Sequence, residues 1–285
     1  MPYLASSDRI AGINQNKVES MLELYYFPTA TCGYKARLTL AEKAVDFTHH
    51  VLDRDAGDLV TPAYLKLNPN AVVPTMVHNG DVLIESSIIM VYTDTAFEGP
   101  ALQPRSALGR ARVAAWLKRA DDHYLPALGA VTYGLFRRKD ILRKTPEELE
   151  TYYREIPDPE RRAQRREVVE KGIRAAKVRD GFLTLDQMLA AMEADLATTV
   201  FLAGPDYGLA DAALTPFVSR LGELGMGWMW DNRPHVSHWW ASVQDRPSFD
   251  TVFSAFPDPQ RKAGLLAAGE EAREGVRQIL DGKTL

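Results

Sequence analysis

The only cysteine of the chain, Cys32, stands where a predicted strand gives way to a predicted helix. Unpaired backbone N–H groups and the helix dipole stabilise an anion at such a place. A thiol there reads as a thiolate of lowered pKa, reactive near neutral pH; the plainer reading is a small buried hydrophobe. Val73-Pro74 opens a later strand, where a proline loses no needed ladder bond. A cis bond would turn the Val73 N–H and C=O outward to pair with an extended peptide, but only about 5–6% of X–Pro bonds are cis, and the residues alone favour trans. Glu85-Ser86 lies between a strand and a helix. A serine hydroxyl with helix N-terminal N–H groups binds a carboxylate, and a glutamate binds an ammonium group. The pair suits the zwitterionic end of an amino acid, or more simply an N-cap with a solvated glutamate. A fourth motif, GPDYGLAD from Gly204 to Asp211, opens a helix with Asp211 three residues after Gly208, the spacing of a capping box and a structural signal.

These residues need a scaffold. Residues 21–27 are short and aromatic, as a buried strand should be, and helical spacing follows with Tyr34, Leu38, Ala41 and Val45 on one face. A second strand is predicted over 47–52, and Thr61-Pro62 starts a short helix as N-cap and first-turn proline. Asn79-Gly80 is a two-residue hairpin turn ahead of a return strand at 82–84, and 88–97 reads as a helix capped by serine. The order β-α-β-α-β-β-α predicts a mixed sheet, with a parallel early pair and an antiparallel late hairpin. Residues 98–106, rich in Pro and Gly, form a linker. Helices follow over 107–128, 135–176, 181–197, 201–220, 233–244 and 260–280. The division is an extension at 1–20, a sheet domain at 21–97, the linker, a helical domain at 107–260, and a helical tail at 261–285.

Composition narrows the function. With 285 residues, 46% of them hydrophobic, the chain has ample material for a packed core. A formal charge of −4 is a poor match for a nucleic-acid backbone. No apolar run spans a bilayer, and residues 1–20 are too polar for a secretory signal. One cysteine forbids an intramolecular disulfide and a multi-cysteine zinc site, no metal site is read, and the expected compartment is the reducing cytoplasm. The basic run Arg161–Arg166 is nearly balanced by Glu160, Glu167 and Glu170, and reads as a solvated helical face.

Taken in order, the cysteine at the first helix, V-V-P-T at residues 72–75, E-S-S at 85–87, the linker, the helical second half and G-x-x-Y-x-L-A-D resemble the cytosolic glutathione transferases from Met21 to about Phe256. The capping motif departs from the family pattern, with Gly208 in place of the usual serine or threonine. Within the superfamily, Cys32, A-V-V-P-T-M-V and V-T-Y-G (131–134) are similar to tetrachlorohydroquinone reductive dehalogenases. The charged stretch 147–166 and the Arg246-Pro247-Ser248 ending are similar to the β-etherases that cleave lignin-derived aryl ethers.

The resemblance implies a thioredoxin-like first domain with a four-stranded mixed sheet, an all-helical second domain, glutathione as cosubstrate and a homodimer. It implies that Val73 pairs with the cysteinyl backbone of glutathione, that Glu85 and Ser86 hold its γ-glutamyl end, that Asn70 approaches its glycyl end, and that Pro74 is cis. Cys32 takes the place of the group that activates the glutathione thiol or attacks in its own right. The electrophile, a small hydrophobic aromatic, is expected between the domains beside Tyr124, Tyr133 and Arg137. Trp116 reads as core, and the later tryptophans as core or a subunit contact. Two other functions stay open: a monothiol oxidoreductase acting through Cys32, and a glutathione-binding protein without turnover.

Overall fold

The computed structural model describes residues 22–283; the extension expected at 1–20, and Met21 at the predicted edge of the first strand, lie outside the described residues. Strand β1 (Leu22–Tyr26) leads into helix α1 (Thr31–Glu42), strand β2 (Thr48–Val51) and helix α2 (Pro62–Leu67). Thr61 caps α2 through its hydroxyl, with Pro62 in the first turn, as the sequence predicts. Strands β3 (Thr75–His78) and β4 (Asp81–Ile84) follow, joined by Asn79 and Gly80, both at positive φ as a tight hairpin turn requires. The sheet order is β2-β1-β3-β4, with β1 and β2 parallel and the other neighbours antiparallel. Helix α3 (Ser86–Ala96) closes the unit. The fold is thioredoxin-like with a mixed four-stranded sheet. The serine cap expected ahead of residue 88 is absent, because the helix starts two residues earlier and takes both serines into its first turn. Glu85, at φ 70°, flanks the helix, no side chain caps it, and Ser86 is its first helical residue.

Helix α1 is buried on two sides. Ala36 and Leu40 join the sheet-side core with Leu22, Leu24, Tyr26, Met76 and Ile89, while Tyr34 and Leu38 join the core of the helical half. The predicted stripe of Tyr34, Leu38 and Ala41 thus faces the helical half, a second face at Ala36 and Leu40 meets the sheet, and Val45 packs against the sheet from beyond the helix end.

The helical half comprises α4 (Ala107–Arg119), α5 (Leu125–Thr132), α6 (Arg138–Ile141), α7 (Pro146–Arg154), α8 (Pro159–Lys171), α9 (Ala176–Leu196), α10 (Leu209–Glu223), α11 (Pro234–Gln244), α12 (Pro247–Phe253) and α13 (Pro259–Leu280). The helix predicted over 107–128 contains a π turn at Ala120–Tyr124, and a second π turn at Tyr133–Arg137 follows α5; such turns recur at functional sites. The tail is the helix α13, held close to α10 because Gly269 lacks a side chain: a Cβ there would come within 1.7 Å of the Leu224 carbonyl oxygen. Trp116, Trp230 and Trp239 are buried.

Asp211 organises the start of α10. Its carboxylate, fully buried, accepts from the N–H groups of Leu202 (3.0 Å) and Gly208 (3.0 Å) and from Trp239 Nε1 (2.8 Å). Burial raises its pKa to about 6, against the pull of these N–H groups. Glycine at 208 has a steric reason, since a Cβ would lie 2.5 Å from the Leu102 carbonyl oxygen, which accepts from the Leu209 N–H. Asp211→Ala leaves three buried donors without an acceptor and is expected to cost roughly 3 kcal/mol or more of unfolding free energy, measured by urea denaturation.

Candidate active site

A cleft of about 3990 Å³ runs between the halves, several times the roughly 300–1,000 Å³ of a pocket for one small ligand. Its sheet-side wall carries Thr29, Thr31 and Cys32 at the head of α1, Ala71–Pro74 before β3, and Glu85-Ser86 at the head of α3. The Val73-Pro74 bond is cis. The ladder on both sides of β3 begins at Thr75, so the Val73 peptide sits outside it on the cleft wall. Buried Asn68 shapes this turn: its Nδ2 donates to the Val72 carbonyl (2.9 Å) and Thr75 Oγ1 (3.1 Å), while Tyr64 Oη also donates to the Val72 carbonyl (2.6 Å). Asn70 is exposed and does not line the cleft; its N–H is turned back to Asn68 Oδ1 at 3.1 Å.

Cys32 is half-buried on this wall. Burial pushes its thiol up, ahead of the Lys35 ammonium and the Ser86 hydroxyl, which pull it down, and of Asp121 and Glu85, which raise it. The net direction is upward. The lowered pKa expected from the helix start is thus corrected, because desolvation of the sulfur outweighs the favourable local field. Lys35, missed by sequence reasoning although it lies one helical turn from Cys32, is buried and donates to Asp121 Oδ1 (2.7 Å) and Ser87 Oγ (2.8 Å).

The opposite wall comes from the helical half. Tyr133 and Arg137 lie in the second π turn and both line the cleft. The Tyr133 hydroxyl accepts from Arg54 Nη1, contributed by the loop after β2, and the Arg165 guanidinium lies 3.1 Å from its ring centroid. Burial raises the Tyr133 phenol, but Arg54, then Arg165 and Arg137, outweigh it and bring the pKa down to about 8. The solvated face expected for Arg161–Arg166 divides in two. Arg161 and Arg165 line the cleft; Arg162 donates to the Ile156 carbonyl and Arg166 pairs with Glu150. A charge tally along one helix does not say which cations face a neighbour. Tyr124 is mostly buried and packs edge-on against Phe217, 6.3 Å between centroids, touching the cleft at its margin. Among the described residues, no cluster of three or more His, Cys, Asp or Glu could hold a metal ion, and no helix is long and apolar enough to cross a membrane.

Residues 24–101 match the family description "Glutathione S-transferase, N-terminal domain" and residues 170–247 match "Glutathione S-transferase, C-terminal domain". Glutathione S-transferase 3 of Zea mays is 30% identical over 242 residues, covering 84% of this chain and 96% of that protein. The chain belongs to the glutathione S-transferase family. The tetrachloro-p-hydroquinone reductive dehalogenase of Sphingobium chlorophenolicum is 27% identical over 237 residues, 81% of this chain and 95% of that one. Among solved structures, the β-etherase LigF from Sphingobium sp. strain SYK-6 superposes with a TM-score of 0.76 at 23% identity, covering 83% of this chain and all of that one. Enzymes of this family use glutathione as cosubstrate. A cleft with room for a tripeptide and a second molecule suits that chemistry.

Two titrations check these electrostatics. Iodoacetamide labelling of the single cysteine is expected to accelerate with a midpoint above that of free cysteine, and Lys35→Met to move it higher still; a midpoint below neutrality contradicts the burial argument. Ultraviolet titration is expected to show one of the 11 tyrosines ionising near pH 8, a step absent from Tyr133→Phe. Because the folded value lies below the unfolded 10.0, the associated stability builds between about pH 8 and pH 10 and is lost as pH falls through 8.

Proposed function

We propose that the chain conjugates glutathione to a small hydrophobic aromatic electrophile, with cleavage of an aryl ether as the favoured reaction. The observation that carries this reading is the shared cleft, with Cys32, the Val73 peptide and Glu85-Ser86 on one wall and an aromatic, cationic wall opposite. In this reading Val73 pairs with the cysteinyl backbone of glutathione. The Glu85 carboxylate, with no side-chain partner among the described residues, receives the γ-glutamyl ammonium group, and Ser86 with the first N–H groups of α3 receives the adjoining carboxylate. Asn70, turned away, is given no part. A homodimer in the cytoplasm, usual for the family, belongs to the same proposal.

The bound thiol gives its proton to solvent and attacks carbon as a thiolate. A C–S bond forms while the C–O bond breaks, and the leaving phenolate takes the electron pair. Holding both reactants in one cleft turns a bimolecular encounter into a local one. Cys32, protonated at neutral pH by its burial, is suited to donating an S–H hydrogen bond to the glutathione thiolate. The same protonation slows attack on a disulfide, since the thiolate is the nucleophile there. That separates this reading from a monothiol oxidoreductase and from reductive removal of a halide, both of which draw on a nucleophilic cysteine.

Conjugation kinetics with an aryl electrophile test it. Cys32→Ser, which keeps a donor, is expected to retain kcat/KM within about threefold, and Cys32→Ala to lose about tenfold or more. Mass spectrometry after turnover is expected to show Cys32 without a glutathione adduct. Accumulation of that adduct, with activity abolished by Cys32→Ser, supports the oxidoreductase instead; glutathione binding without turnover of any thiol-reactive substrate supports the non-catalytic reading.

A further inference from the structure

Four guanidinium groups, those of Arg54, Arg137, Arg161 and Arg165, line one stretch of the cleft around Tyr133. Like charges repel, and a folded chain gathers them only where something answers them. Arg137 is answered by Asp55 Oδ1 at 2.9 Å and more distantly by Asp140 at 4.0 Å. For Arg54, Arg161 and Arg165, no carboxylate lies within 4.0 Å among the described residues. Asp158 acts on Arg161 only at longer range, and its Oδ1 is taken by the Arg161 backbone N–H at 2.6 Å. Neutral partners serve in place of anions: the Tyr133 hydroxyl for Arg54, and the Tyr152 hydroxyl for Arg165 Nη1 at 3.2 Å. Arg54 lies over the Phe27 ring at 4.6 Å and Arg165 over the Tyr133 ring at 3.1 Å, which fixes the planes of both forks. The result is a local excess of positive charge, with donors left over, in a chain whose formal charge is −4.

We propose that this cluster anchors a carboxylate, or a similar planar oxyanion, carried by the aromatic electrophile. Guanidinium forks match a carboxylate in two-point geometry, which a neutral ring does not exploit. Phe27, Tyr133 and Tyr152 line the same stretch of the cleft, so the arene that carries the anion lies among aromatic side chains, beside the guanidinium groups that cover the Phe27 and Tyr133 faces. The site selects for acidic aromatic substrates, which enter a cationic cleft faster and are held by their charged end while the thiolate attacks elsewhere on the molecule. This inference rests on the transferase reading for the thiolate, but the anion site itself does not depend on turnover.

A matched pair of electrophiles tests it: chlorodinitrobenzene and its ring carboxylate, chlorodinitrobenzoate. Arg161→Gln and Arg165→Gln lie on the helical wall, away from the proposed glutathione contacts. Each is expected to lower kcat/KM for the benzoate about tenfold more than for the neutral compound, leaving the KM for glutathione unmoved. Calorimetric binding of unreactive dinitrobenzoate is expected to weaken about tenfold in the same variants. Equal losses on both electrophiles, or a rise in the glutathione KM instead, overturn the proposal, the latter by assigning the cluster to a glutathione carboxylate. If neither electrophile turns over while dinitrobenzoate still binds through these arginines, the anion site stands and the transferase reading falls. Absence of dinitrobenzoate binding to the wild-type protein overturns the site.

Discussion

A buried ammonium must be answered on every side, and Lys35, only 1% exposed, is answered from two distant parts of the chain: Ser87 at the head of α3 and Asp121 in the first π turn of the helical half. Breaking such a pair leaves a charge in low dielectric and costs roughly 3–5 kcal/mol. The pair therefore does more than join two surfaces. It fixes the rotation of α1 against α3 and against the helical half, and so decides which way Cys32 faces. Arg37 Nη2 donating to the Val252 carbonyl (2.8 Å), Arg220 Nη2 donating to the Thr29 carbonyl (2.8 Å) and the Arg246–Glu42 fork (2.7 and 2.6 Å) hold the same helix from its other sides. An apolar seam alone tolerates sliding; these directional bonds do not.

The sulfur then sits in a contest between two effects of the same burial. Packing removes water, which favours the neutral thiol; it also strengthens the reach of Lys35 and of Ser86, which favour the anion. Desolvation wins, and that outcome sets the division of labour. A thiol that stays protonated is a poor nucleophile that can still donate a weak S–H hydrogen bond, and in the proposed reading the charge is carried instead by the sulfur of glutathione, which is not committed to the packed wall.

What was legible in the sequence was what short-range chemistry decides. The Thr61-Pro62 cap, the Asn79-Gly80 turn and the Gly208–Asp211 spacing each involve residues within four positions of one another, and all appear in the structure. The thioredoxin-like order followed from the same local signals and from family likeness. The Lys35–Asp121 pair joins residues 86 positions apart, and nothing in the neighbourhood of either announces the other. Burial was the other blind spot. A helix start is visible in sequence, whereas the desolvation that reverses its effect on Cys32 arises only when two domains close over it. The glutamates on the helix of Arg161 and Arg165 balance its charge in a tally and so predict a solvated face, but they do not reach those two arginines: Glu167 pairs with Lys171 and Glu160 accepts from Gln164.

The two walls of the cleft consequently recognise by different means. On the sheet side the contacts on offer are a main-chain edge at Val73, helix ends, and side chains at positions fixed by the fold itself. On the helical side the contacts are long side chains stacked on rings and mounted on a π turn, where one substitution alters both charge and shape. A fold built this way keeps one ligand constant and lets the other vary. In the proposed reading the constant partner is glutathione, met by the backbone at Val73, and the variable one is the electrophile, met by Tyr133 and the guanidinium groups around it, so specificity for the second molecule can drift without disturbing Asp211, Lys35 or the turn that presents Val73.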